Sequence, residues 1–299
     1  MSYDSSDYRA SASEEGEVKN NSDDAISSFE NTAKTFFELG SSQRIAILFK
    51  IAEGKYNLAK LSKDLDCTMP EVRRNVIRLS DSGFVERRSD GIFILCTFGK
   101  TILEQISTLD FLSRNKDYFT NHTFSSLPLK FIRRIGSLSD SELISGLVPI
   151  DERLKDMYDR SQEYVYAMLP EVPINLIESI VARLKKVEKK GFKFSYILPT
   201  HASVPKRRKE ILDSLGFSEL LKKGTVERKM VNSLLIGVVL TDKQACVKFP
   251  RIERNNKIEF DTNSMFYGSN PDFHEWCLVY YRYIWYNARS FDEKALVEV

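Results

Sequence analysis

The chain has 299 residues, 42% of them hydrophobic, more than one compact core usually organises, so two domains are expected. Its formal charge is +2, yet residues 1–24 hold seven acids and two bases, which leaves the remainder at about +7 and suited to an acidic partner. The longest apolar run, Leu234–Leu240, is far too short to span a membrane, and the first residues lack the apolar stretch of a signal peptide or anchor.

Residues 1–28 read as a serine-rich, acidic, disordered tail. In "SSQRIAILFKIAEG" (41–54), Ile45, Leu48, Phe49 and Ala52 recur at helical spacing and Gly54 closes the segment. Asn57 can cap a second helix, "LAKLSKDLD", with Leu58, Leu61 and Leu65 on one face. After a turn at Cys67–Thr68 a third helix begins, marked by the T-x-x-E box of Thr68 and Glu71, by Pro70 in its first turn and by Gly83 beyond its end. "FVERRSDGIFILC" then gives two short β-type runs around Ser89-Asp90-Gly91, a hairpin signal. A long amphipathic helix is predicted from Phe98 to about Tyr118. Helix, helix, turn, helix, hairpin, helix is the order of a winged helix-turn-helix, expected over 29–121 with its linker and dimerisation helix.

From His122 to residue 299 the pattern changes to a second domain. Short helices are predicted first, with Ser139 and Glu142 as another capping box, then a helix at 150–162. "EYVYAMLP" and "FKFSYILP" read as strands, each followed by a helix, "NLIESIVARLKKVEKKG" and "KRRKEILDSLG". "TVERKMV", "SLLIGVVL", "ACVKFP" and "KIEF" follow as strands, and "PDFHEWCLVYYRYIWYNARSF" as a closing helix with Phe273, Trp276, Tyr280 and Ile284 on one apolar face. Two βα units, a run of strands and a last helix indicate a mixed α/β sheet domain.

At 100° per residue, Val72, Val76 and Leu79 of the third helix fall within about 60° of arc and face the core. Arg74 and Arg78 lie on the far side, with Arg73 and Ile77 on the flank. The helix after the turn is the one that enters the major groove, where arginine offers guanine a two-pronged donor or holds phosphates. The residues expected to meet double-stranded DNA are Thr68, Arg73, Arg74, Asn75 and Arg78 on this helix, with Arg87 and Arg88 anchoring the wing. Phe98, Ile102, Ile106 and Leu109 of the next helix are expected to join two chains. The bland readings stand beside these: an i, i+4 arginine pair is often a solvated face, and wing arginines also keep an edge hairpin soluble.

Catalytic signals are sparse. "HASVPKRRKEILD" at His201 begins like the H-x-K phosphodiesterase signature, but Ser203 stands where the lysine belongs and Lys206 comes too late. "HEWCL" at His274 has Leu278 where H-E-x-x-H needs its second histidine, and no G-x-S-x-G occurs. The expectation is that the chain is not an enzyme and holds no metal or cofactor. Cys67, Cys96, Cys246 and Cys277 lie far apart without a C-x-x-C pair, which fits a reducing cytoplasm.

The stretch "MPEVRRNVIRLSDSGFVERR" resembles the recognition-helix-to-wing segment of ArsR-like winged-helix regulators. "LPLKFIRRIGSL", "SLLIGVVLTDKQACVKFP" and "FYGSNPDFHEWCLVYYRYIWYNA", with Asp242 and the Trp276/Tyr281/Trp285 set, resemble archaeal regulators with a methanogenesis-regulator-type sensor domain. This resemblance implies an archaeal, cytoplasmic, sequence-specific transcriptional regulator. It would be a homodimer, responsive to a small-molecule effector of unknown identity bound by the C-terminal domain. The alternatives are a winged-helix module that docks proteins of the transcription machinery, or a phosphodiesterase-like enzyme.

Overall fold

The computed structural model describes residues 27–171, 180–184 and 191–298. The chain divides into two compact units, Met1–Glu104 and Gln105–Val299. The first is a winged helix-turn-helix and the second a mixed α/β sheet domain. Most of the acidic tail and most of the helix expected after the first large strand fall outside the described residues.

The first unit runs α1 (Glu30–Leu39), α2 (Ser42–Glu53), α3 (Leu58–Asp64), α4 (Met69–Asp81), β1 (Val85–Arg87), β2 (Phe93–Leu95) and the start of α5 (Thr97–Arg114). Local chemistry sets the starts. The Ser41 hydroxyl accepts from the Arg44 N–H, and Asn57 Oδ1 accepts from the Lys60 N–H at 2.9 Å. Gly83, at φ +76°, lets the chain leave α4 in a left-handed turn in which the Phe84 N–H donates to Leu79 O. The strands of the wing pair Val85 with Leu95 and Arg87 with Phe93. Asp90 Oδ1 and the left-handed Gly91 shape the tip between them. Ile47, Leu48, Leu61, Leu79 and Phe84 fill the core and are almost fully hidden from solvent.

The second unit is built on an eight-stranded sheet of order β13-β7-β5-β4-β8-β9-β12-β3. The strands are β3 (Glu142–Ser145), β4 (Tyr164–Met168), β5 (Lys193–Pro199), β7 (Val226–Val231), β8 (Gly237–Thr241), β9 (Ala245–Lys248), β12 (Ser264–Gly268) and β13 (Arg289–Ser290). The parallel trio β4, β5 and β7 carries the two crossovers, and the remaining neighbours are antiparallel. Two small pairs, β10 (Arg251–Ile252) with β11 (Ile258–Glu259) and β6 (Ser203–Val204) with β14 (Val297–Glu298), lie outside it.

Alternation along β4 explains the two-sided core. Val165 and Ala167 pack with α7 (Leu147–Arg160), α8 (Arg208–Ser214) and α9 (Phe217–Lys222) on one face. Tyr166 and Met168 face α6 (Leu129–Ile132) and α10 (Pro271–Asn287) on the other. Trp276 sits at the centre of that second core with no exposed surface, its Nε1–H donating to Phe131 O at 3.1 Å.

Two expectations are corrected here. Ser139 and Glu142 do not cap a helix: Ser139 follows a 3₁₀ turn at Ile135–Leu138, and Glu142 opens β3, which pairs with β12 from Tyr267 to Ser264. Pairing across more than a hundred residues outweighs the local capping pattern. The long helix also stops at Arg114, and a separate 3₁₀ turn covers Tyr118–Thr120.

A buried polar cluster lies in the same unit. Asp261 Oδ2 meets His122 Nε2 at 3.1 Å and accepts from the Ser264 hydroxyl, while Oδ1 accepts from the Asn263 N–H. Burial alone would push the Asp261 carboxyl up, but hydrogen bonds from His122, Ser264 and Asn263 outweigh it and hold it below its ordinary value. A carboxylate with a depressed folded pKa stabilises the fold above its unfolded value of about 3.9, and that share fades as pH falls through the folded pKa. Asp261→Asn is therefore expected to lower stability at neutral pH and to flatten the loss between about pH 5 and pH 2, read by denaturant unfolding. An unchanged acid profile would contradict this.

Candidate nucleic-acid interface

The interface starts at the first turn of α4. The Thr68 N–H and hydroxyl both donate to Glu71 Oε2, at 2.9 and 2.7 Å, and Pro70 occupies the turn where no N–H is needed. These bonds, the Thr68 hydroxyl foremost, hold the Glu71 carboxyl below its ordinary value. Thr68→Ala is expected to cost about 1 kcal/mol of winged-helix stability, measured by denaturant unfolding. No loss would mean that the cap is idle.

The hidden stripe of α4 is Val72, Asn75, Val76 and Leu79. Opposite it stand Met69, Arg73, Arg74 and Ile77, all exposed, Met69 at 46% and Ile77 at 48%. Among the described residues neither Arg73 nor Arg74 forms an ion pair, although the Arg74 charge is near enough to help hold the Glu71 carboxyl below its ordinary value. On the wing, Arg87 and Arg88 are exposed. The Arg87 guanidinium lies 6.0 Å from the Phe93 ring centre, and Arg88 Nε is 3.9 Å from Asp90 Oδ2.

The structure moves three of the expected residues. Asn75 is 5% exposed, and its Nδ2 donates to Gln43 Oε1 at 2.9 Å, so it fastens α4 to α2 and does not face outward. Arg78 is half-buried and not free on the far side: its guanidinium is gripped by Glu38 through Nε at 3.0 Å and Nη2 at 2.7 Å. Thr68 is exposed, with its hydroxyl turned back to Glu71. Ile77, read as a flank residue from the sequence, is part of the outward face.

The four residues expected to join two chains do not form one open stripe. Phe98 and Leu109 are exposed, with Phe98 packed 5.0 Å from the Phe84 ring, Ile102 is half-buried, and Ile106 is buried within its own chain. Phe98 also borders a cleft of about 740 Å³ together with Lys34, Phe37, Glu38 and Phe84.

Gly99-Lys100-Thr101 carries the last three positions of a phosphate-binding loop, but Ile94 stands where that loop needs its first glycine. Packing explains this glycine: a Cβ on Gly99 would overlap the Phe84 carbonyl oxygen. In the second unit His201 and His274 serve separate places. The His201 N–H donates to Ala295 O, and His274 Nε2 lies 2.6 Å from Thr241 O and 3.3 Å from the Tyr164 hydroxyl. Asp242 Oδ1 accepts the Gln162 and Glu163 N–H groups at 2.7 and 3.2 Å and closes the turn before β4. Tyr164, Tyr166, Tyr281 and Trp285 stack in series, with centroid spacings of 4.5, 5.1 and 5.8 Å. Among the described residues no cluster of His, Cys, Asp and Glu is placed to hold a metal, and no helix is long and apolar enough to cross a membrane.

No protein-family model and no curated protein matches the sequence. Solved structures similar to the chain include the archaeal chromatin protein TrmBL2, whose structure shows a novel mode of DNA binding. It is 13% identical, with 83% of this chain and 92% of that one covered and a TM-score of 0.37. NucT from Helicobacter pylori is 12% identical over 51% of this chain and 99% of its own, also with a TM-score of 0.37. RosA from Streptomyces davawensis, an N,N-8-amino-8-demethyl-D-riboflavin dimethyltransferase, is 11% identical over 70% of this chain and 66% of its own, with a TM-score of 0.26. Other methyltransferases are similar as well. The expectation that the chain is not an enzyme is corrected to this extent: methyltransferases are among the solved structures it is similar to. At such low TM-scores none of these likenesses carries an argument about what this chain binds or does.

Proposed function

We propose that the chain is a sequence-specific, double-stranded-DNA-binding transcriptional regulator, dimeric and responsive to a small-molecule effector through its C-terminal unit. One observation supports this above the rest: the helix that follows the turn presents Arg73 and Arg74 outward without an ion-pair partner among the described residues. In this reading α4 lies in the major groove, Arg73 and Arg74 reach base edges or phosphates, and Arg87 and Arg88 hold the backbone beside the wing. Phe98 and Leu109 of α5 join two copies, so that two recognition helices meet adjacent half-sites. An effector acts by changing the spacing of those helices, and it shifts affinity only as far as it binds one spacing better than the other. The test is the salt dependence of duplex binding. The logarithm of the association constant should fall linearly with log salt, with a slope near −0.9 for each phosphate neutralised. A salt-independent affinity would sink the reading.

Met69 and Ile77 add a finer expectation. Apolar side chains in the middle of a basic face suit the thymine methyl group. Replacing thymine by uracil at one position of a bound site should cost about 0.8 kcal/mol, the worth of a buried methyl-sized group. In Ile77→Ala the same replacement should cost nothing. The same two residues also favour a second reading, a protein-docking helix, in which case uracil substitution has no effect anywhere.

A further inference from the structure

Glu38, in the last turn of α1, precedes Arg78 by 40 residues and holds it by two bonds, Nε to Oε2 at 3.0 Å and Nη2 to Oε1 at 2.7 Å. The same carboxylate lies 3.5 Å from Nε of Arg44, whose side chain is buried and also donates to the carbonyl oxygens of Phe37 and Glu38. Glu38 is thus also tied to Arg44 through Oε2, with its own side chain 15% exposed. The Arg78 guanidinium also lies over the Phe37 ring, 5.4 Å from its centre.

A guanidinium has two useful donor edges: one along Nε and Nη2, the other across Nη1 and Nη2. Glu38 engages the first. Nη1 has no acceptor among the described residues, and the Arg78 side chain is 38% exposed. The free edge is the one that donates end-on to two acceptors on a base. A long, mobile arginine would lose rotamer freedom on docking, whereas one already held loses less. A carboxylate that merely competed with DNA would gain most by covering the outer edge, which it leaves open.

We propose that Glu38 is a positioning residue that aims the Nη1/Nη2 end of Arg78 at the O6 and N7 of one guanine. Specificity at one base pair then depends on a side chain that touches no base. This rests on the DNA-binding reading above.

The experiment selects bound sites from random duplexes with full-length wild type, Arg78→Lys, Glu38→Gln and the double variant. Arg78→Lys keeps the charge but loses the fork, so preference for one G·C pair should fall roughly ten-fold. Glu38→Gln keeps the size and an acceptor for Arg44, and should lose the same preference at the same pair while its affinity for unrelated duplex does not fall. The double variant should lose no more than either single one, because the two act as a unit. Glu38→Gln binding with unchanged preference would overturn the assignment. A uniform loss over all sequences would overturn it too, since that marks a phosphate holder or a merely structural tie. A wild type that enriches no site at all would remove the DNA-binding reading itself, an outcome distinct from the others.

Discussion

Replacing Arg73 and Arg74 together by alanine is expected to weaken binding to a selected site by about 3 kcal/mol, at about 1–3 kcal/mol for each base-reading arginine removed. The expectation follows from where these two charges sit. Val72, Asn75, Val76 and Leu79 turn one side of α4 into the core, which leaves Arg73 and Arg74 exposed outside it. Neither forms an ion pair among the described residues, so no hydrogen-bonded carboxylate has to be displaced before they meet DNA. If they read bases, the preferred sequence changes as affinity falls. If they hold phosphates, affinity falls for every sequence and the salt slope drops by about 1 for each arginine. Unfolding of the winged helix should be almost unaffected, because exposed substitutions away from caps and cores usually stay within about 0.5 kcal/mol. Unchanged affinity in the double variant would remove α4 from the interface.

Trp276→Ala is expected to cost the second unit about 4 kcal/mol of stability, read from its own transition in denaturant unfolding. The indole is fully enclosed and packs edge-on to Phe131 at 5.7 Å and against Tyr280 at 5.7 Å. Its removal leaves a void between α10 and the sheet, which a packed interior fills only in part. It also removes one of the two donors to the Phe131 carbonyl, which keeps only the Arg134 N–H. Tyr286→Ala is the control: the same helix, an aromatic 79% exposed, and a change expected within about 0.5 kcal/mol. Equal effects of the two substitutions would contradict the placement of this core.

The parts legible from sequence share one property: their causes lie within a few residues of their effects. The Thr68–Glu71 box, Pro70, Gly83 and the Ser89-Asp90-Gly91 tip all mark ends and turns through local chemistry, and the winged helix follows from their order. The α10 stripe of Phe273, Trp276 and Tyr280 is equally local, since helical period alone sets which side is buried. What escaped needed a distant partner. Glu142 looks like a cap until Tyr267 pairs with it, and Ser264–Gly268 offers too short a run to announce a strand paired on both sides. Asn75 is a polar residue inside the buried stripe, and only Gln43, 32 residues away, accounts for it. Arg78 looks outward from its angle on the helix, which says nothing of α1 or of Glu38. Ile77 carries the one signal open to reading, an apolar residue outside the Val72–Val76–Leu79 arc.

The function rests on α4 reading sequence. The most direct measurement is selection of bound duplexes from random DNA by the full-length protein, with Arg73→Ala/Arg74→Ala as the paired control. Wild type is expected to enrich a defined site, with half-sites repeated at about one helical turn or a multiple of it if the protein binds as a dimer, and the double variant to lose that enrichment. A wild type that enriches no sequence, or a double variant that enriches the same site equally well, would contradict it.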